Sequence, residues 1–286
     1  TGGTNIFAGK YAGEKNTTGG SNVYLGCGAG QCQKTGGYNL AFGFGALKGS
    51  SSINSNTGTY NIALGCGAGK TITSGGANIA IGMNAGDITS GGCNVAMGTD
   101  ALGGSTSSVT GDSNVAIGRR AGCNITSGTR NVVIGDHAAA SMTTGIQNIA
   151  IGHCAHSLYT GNGCNVVIGQ CAGCGTSGGN NSGYYNVILG QEAGRNIQNG
   201  LSNTFIGQKA GCSNTSGSYN LYFGTYAAKN ATTGGNNIAI GCNAIGNGVA
   251  TGGCNIAIGR CSGYEISSGK YNAVFGYFAG QQITTG

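Results

Sequence analysis

Apolar residues return along this chain in a short fixed unit made of a polar Asn, three apolar residues and a Gly. Asn61-Ile62-Ala63-Leu64-Gly65 comes back as Asn78-Ile79-Ala80-Ile81-Gly82, and Ile-Thr-Ser-Gly-Gly closes both copies. Self-similarity at a fixed short period marks a repeat architecture. With the Asn as origin, the anchors are Asn5, Asn22, Asn39, Asn61, Asn78, Asn94, Asn114, Asn131, Asn148, Asn165, Asn186, Asn203, Asn220, Asn237, Asn255 and Asn272. All sixteen have a Gly four residues later, from Gly9 to Gly276, and the usual step is seventeen residues. The steps from Asn39, Asn94 and Asn165 are longer. Their added residues (Ser50 to Thr57, Ser105 to Thr110, Gly178 to Ser182) are rich in Ser, Thr, Asn and Gly and read as loops.

The first and third residues after the Asn are apolar, as in Ile62 and Leu64 or Val115 and Ile117, with Thr204 the one polar residue among them. Alternation of β-branched residues predicts a short strand, which the Gly then ends. A second segment carries Ala seven residues after the Asn (Ala12, Ala68, Ala121, Ala193, Ala279; Ser262 differs), followed by Ile or Thr and a Gly-bearing turn. Two short strands and two corners per coil predict an all-β fold, a β-solenoid of about sixteen coils running as one array over residues 1–286. The chain begins and ends inside a repeat, so the expectation is a segment of a longer fibre.

Two positions bear on assembly. The sixteen Asn residues are expected to stack as a side-chain amide ladder, since none is replaced by Asp, Ser or Gly; the alternative is a turn residue that tolerates left-handed φ. The second residue after the Asn, on the opposite strand face, is also apolar in every copy, from Phe7 and Tyr24 to Ala257 and Val274. A strand apolar on both faces predicts cover by other copies of the chain, most simply three around an axis. The alternative is that small Ala residues are tolerated outside.

Composition narrows the class. Only 7% of residues are charged, Pro and Trp are absent, and the 62 Gly show no three-residue period, which excludes collagen. Apolar residues held at fixed positions exclude simple disorder. The net charge of +6 comes from scattered basic residues without a run, which argues against a nucleic-acid groove or membrane insertion. The thirteen cysteines fall mostly at positions that elsewhere carry Lys, Arg, Asp or Glu, and so read as exposed corners, either bridged in an oxidising location or simply small residues in tight turns.

The block Asn114-Val115-Ala116-Ile117-Gly118 and its fifteen relatives resemble the head repeats of trimeric autotransporter adhesins, the YadA-like heads, and the repeats of phage and large-virus tail fibres. The resemblance covers the whole chain. It implies a left-handed β-roll wound as a homotrimer with Val and Ile facing inward, and a role as fibre shaft or adhesive head on a cell or virion surface. The chain departs from the adhesin pattern in its longer period and its cysteines.

Several places offer residues that could carry chemistry. Gly26-Cys27-Gly28-Ala29-Gly30 has the look of a phosphate loop, but no helix pattern follows it. The carboxylates are isolated, and the Asp ladder of calcium-binding β-rolls is missing. His153-Cys154-Ala155-His156 beside Cys171-Ala172-Gly173-Cys174 is the best metal candidate, yet a lone CxxC is weak, and Cys154 and Cys171, about 4.8 Å apart on adjacent coils, suit a disulfide as well. Asn16, Asn124, Asn180, Asn214 and Asn230 begin Asn-x-Ser/Thr sequons at turn positions where a glycan could sit in solvent. Thr pairs such as Thr17-Thr18 and Thr232-Thr233 raise an ice-binding face, interrupted by the loops. The expected function is thus a non-enzymatic, cofactor-free and metal-free fibre segment that partners itself. The alternative is a module that recognises a cell-surface glycan or receptor through corners such as Tyr11, Arg119-Arg120, His153 and Tyr226.

Overall fold

The computed structural model describes residues 3–50, 56–104, 109–161, 163–175 and 182–285. The chain divides into two compact units, Thr1–Gly145 and Ile146–Gly286. Each is an all-β parallel solenoid of eight coils, with no helix among the described residues. In the first unit the strands are β1 (Ile6–Ala8), β2 (Val23–Leu25), β3 (Leu40–Phe42), β4 (Ile62–Leu64), β5 (Ile79–Ile81), β6 (Val95–Met97), β7 (Val115–Ile117) and β8 (Val132–Ile134). In the second they are β9 (Ile149–Ile151), β10 (Val166–Ile168), β11 (Val187–Leu189), β12 (Thr204–Ile206), β13 (Leu221–Phe223), β14 (Ile238–Ile240), β15 (Ile256–Ile258) and β16 (Ala273–Phe275). Within each unit every strand pairs with its sequence neighbour in strict register, Val187 opposite Thr204 and Thr204 opposite Leu221, for example.

Each coil has one strand, not the two expected. The Ala segment is a turn, because the residues on either side of the Ala hold left-handed φ: around Ala210 they are Lys209 (φ 56°) and Gly211 (φ 57°). No extended segment can be built from such residues. Non-glycine residues at these positions cost about 1 kcal/mol or more each, and the coil–coil hydrogen bonds hold them there. Lys209 N–H donates to Gln191 O at 2.9 Å, and Gly211 N–H to Ala227 O at 2.9 Å.

The Gly that closes each strand has a different necessity. Its φ lies between 115° and 137°, and from Gly9 to Gly118 and from Gly152 to Gly259 a Cβ there would lie 2.5–2.8 Å from the backbone of the matching Gly one coil on. Only Gly fits both the dihedral and the approach.

The strand faces are reversed relative to the expectation. The middle residue of the strand points into the coil, and from Tyr24 and Ala41 to Ala239 and Ala257 it is fully buried. The first and third residues, among them the Val and Ile that the resemblance placed inside, point outward and are half-buried or exposed. The reason is volume. The facing wall is the Ala seven residues after the Asn, buried in coil after coil (Ala68, Ala121, Ala210), and a second large aliphatic could rarely fit against it. Where the inward residue is aromatic, the coil compensates further on. Phe7, Tyr24, Phe205 and Tyr222 are followed nine residues later by Asn16, Gln33, Asn214 and Ala231, whereas Ala63, Ala116 and Ala257 are followed by Ile72, Ile125 and Ile266. The large rings stack in pairs, Phe7 on Tyr24 at 5.0 Å and Phe205 on Tyr222 at 4.8 Å.

Candidate functional site

Each unit presents an outer sheet face two residues wide. On the second unit its columns are Ile149, Val166, Val187, Thr204, Leu221, Ile238, Ile256 and Ala273 beside Ile151, Ile168, Leu189, Ile206, Phe223, Ile240, Ile258 and Phe275. The first unit carries the same pattern, with Phe42 (58% exposed), Met97 (37%) and Ile117 (36%) standing highest in its interior coils. Flat, continuous apolar faces of this kind are rarely left bare in water. β-Branched side chains fit a pleated surface, and in-register stacking keeps identical positions in line.

The Asn residues run along one edge of this sheet and are buried from Asn22 through Asn131 and from Asn148 through Asn255. Asn203 shows the pattern: its Oδ1 accepts the backbone N–H of Asn220 (3.0 Å), and its Nδ2 donates to Gly217 O (2.9 Å) and to Asn186 Oδ1 (3.1 Å). The amides therefore stack, but their strongest bonds go to backbone groups that a corner would otherwise leave unpaired. Asp cannot supply the Nδ2 donor, and Ser lacks the reach.

The cysteines do not all lie at exposed corners. Cys27, Cys66, Cys93, Cys164 and Cys254 are exposed, but Cys32, Cys123 and Cys261 are buried, and all thirteen are free thiols. Cys154 and Cys171 stand at matching positions of adjacent coils, with Cys171 N–H donating to His153 O at 2.9 Å, and neither is bridged in this structure. The metal candidate is split between two sides of the wall. His153 is exposed, with Nε2 3.5 Å from Cys154 Sγ, while His156 points into the core and stacks on Tyr159 at 4.3 Å. Burial pushes the His156 imidazole down to about 3. Among the described residues no three His, Cys, Asp or Glu side chains come together as a metal site.

The sequons need correction. Asn214 is fully buried, because it is the short residue that makes room beside the Phe205 and Tyr222 rings. Asn16 occupies the same position beside Phe7, and its Nδ2 is buried. Asn124 Nδ2 donates to Ala140 O at 2.8 Å and Asn230 Nδ2 to Asn247 O at 3.2 Å, both half-buried. Asn180 lies outside the described residues, as do most residues of the three longer loops.

Among the corners, Tyr11, Arg119, Arg120 and His153 are exposed and Tyr226 is half-buried. Arg119 reaches Asp136 at 2.9 Å, and that guanidinium holds the Asp136 carboxyl below the usual carboxylate range. In each unit the exposed position just before the Asn also carries tyrosines that the reading of the sequence did not single out. The residue just before the Asn has left-handed φ (59–61° at Tyr38, Tyr60, Tyr185, Tyr219 and Tyr271), and these five tyrosines are 60–80% exposed. Tyr38 and Tyr60 stack at 4.9 Å beside a cleft of about 400 Å³ floored by Gly3, Gly20 and Gly37. The signal available in the sequence was the recurrence of Tyr at this one position in five coils.

No family model, no curated protein and no solved structure matches this chain.

Proposed function

We propose that this chain is a structural fibre segment, the shaft or head of an extracellular or virion-surface fibre, that assembles by covering its outer sheet faces with those of other copies, most simply as a left-handed homotrimer. The observation that carries this reading is the apolar outer face repeated on every coil of both units. Association along such a face would bury apolar surface at about 25 cal/mol per Å², and in-register coils present each partner with the same chemistry at every step. A chain so poor in charge has few rim groups to oppose the approach. Sedimentation equilibrium of the full chain tests it. The wild type is expected at three times the chain mass, and Ile206→Arg, an outward substitution that leaves the core untouched, at one. A wild type that sediments as a monomer at micromolar concentration overturns the reading.

A second reading, recognition of a glycan or receptor by the coil corners, is favoured by the exposed tyrosine column. It predicts retention on a glycan array that Tyr38→Ala abolishes while the sedimenting mass stays unchanged.

A further inference from the structure

One patch departs from the rest of this sparsely charged surface. Three successive coils of the second unit place six residues in two parallel columns: Glu192, Lys209 and Tyr226 in one, Arg195, Cys212 and Lys229 in the other. These six line a cleft of about 360 Å³. Three cations face one carboxylate. Glu192 Oε2 takes Arg195 Nη1 at 3.2 Å and Lys209 Nζ at 3.8 Å, and Lys229 Nζ lies 5.3 Å from the Tyr226 ring centroid. Lys229 makes no ion pair among the described residues.

The second column matters most. In-register coils stack about 4.8 Å apart, so Arg195 and Lys229 flank the small Cys212 at two coil spacings, about 10 Å from Cα to Cα. The long side chains can close from both sides on one small anion seated over the thiol. Burial, and after it Glu192, push the Cys212 thiol up against the opposing pull of Arg195, Lys209 and Lys229. The floor is therefore a neutral thiol at pH 7 and does not repel an anion. Cys174 and Gly246 hold the next places in this column, so the cationic bracket begins and ends within these coils.

We propose that this cleft binds a single oxyanion, a sulfate or phosphate group either free or carried as a sugar ester. Arg195 donates in fork geometry from one side and Lys229 as a point charge from the other. Lys209 adds charge, and Glu192 holds Arg195 in place at the cost of affinity.

Isothermal titration of the full chain at low ionic strength with inorganic sulfate, inorganic phosphate, glucose 6-sulfate and glucose 6-phosphate tests this. Saturable binding is expected at one site per chain. Arg195→Gln and Lys229→Gln each weaken it about fivefold, the scale of a part-exposed ion pair. Glu192→Gln tightens it, a change of sign that a merely structural role for these residues would not produce. Lys270→Gln, on an exposed turn of the same unit, leaves it unchanged. Sugar esters binding more tightly than the free ions assign the site to a glycan, and equal binding assigns it to the free ion. No saturable heat with any of the four probes overturns the proposal. So does a loss in Lys270→Gln equal to that in Lys229→Gln, with unfolding midpoints of all variants matched to the wild type.

Discussion

Replacing Asn203 by Ala is expected to destabilise the second unit far more than one surface amide would suggest. The side chain is fully buried. Its loss strands the Asn220 N–H, which donates to Oδ1 at 3.0 Å, and the Gly217 carbonyl, which accepts from Nδ2 at 2.9 Å. A buried polar group left unpaired costs about 1–3 kcal/mol, so two such groups give about 2–6 kcal/mol, the lower end applying if a water enters the vacated volume. Two amide–amide bonds are lost as well, but Asn220 Nδ2 keeps its bond to Gly234 O (2.9 Å) and Asn186 Oδ1 keeps the Asn203 N–H (2.9 Å), so the groups left unpaired are the two backbone ones. Urea unfolding measures the global cost. Amide exchange at Asn220 measures the local one, and should quicken about tenfold for each 1.4 kcal/mol lost. The control is Gln208→Ala, which removes an exposed amide pair to Gln191 at 3.1 Å and should cost under about 0.5 kcal/mol. If Asn203→Ala costs no more than Gln208→Ala, and Asn220 exchanges at its original rate, the amides are turn residues and the ladder carries no load.

Three further outcomes follow from the same geometry. Gly207→Ala (φ 128°) puts a Cβ 2.6 Å from the Gly224 carbonyl; a loss of more than about 3 kcal/mol in thermal unfolding is expected, against a fraction of that for Gly→Ala at an ordinary dihedral. His156 is held neutral in the core, so unfolding takes up a proton once the pH drops below the ordinary imidazole value of 6.5; stability should fall by up to about 1.4 kcal/mol per pH unit between 6.5 and 3, and His156→Leu should flatten that slope. Tyr24 is pushed by burial from 10.0 up to about 12, so its contribution is intact below pH 10 and lost as the pH climbs toward 12, by up to about 2.7 kcal/mol. Tyr24→Phe should remove that loss without harm at neutral pH, because the buried Oη makes no hydrogen bond of good geometry, although Asn39 lies near it.

The period, the strand and its Gly terminator were legible because each is a local rule repeated sixteen times. Which face of the strand looks inward was not, since Ile62-Ala63-Leu64 is apolar on both sides and alternation alone cannot tell the core from a face made for contact. The answer lay in a correlation between distant positions. Coils with Tyr24 or Phe205 give up their later Ile for Gln33 or Asn214, and that exchange of volume only makes sense if both residues share one interior. The same exchange would have warned that Asn16 and Asn214 are core residues and poor glycan acceptors. The second strand was misread because left-handed φ at Lys209 or Glu192 leaves no mark in composition; only the coil–coil hydrogen bonds impose it. The cationic cleft was hidden for a related reason. Arg195, Lys209 and Lys229 are far apart along the chain and come together only when three coils are laid in register.

The most direct test of the inside–outside assignment uses two of the three methionines of the unmodified protein. Met142 is fully buried at the core position that follows the inward-facing Val133, while Met83 is 52% exposed at a corner. Mild peroxide treatment of the folded chain, read by peptide mass spectrometry, should convert Met83 to the sulfoxide promptly and leave Met142 intact until the chain is unfolded. Met142 oxidising alongside Met83 in the folded protein would contradict the account, because the wall said to enclose the core would then be facing water.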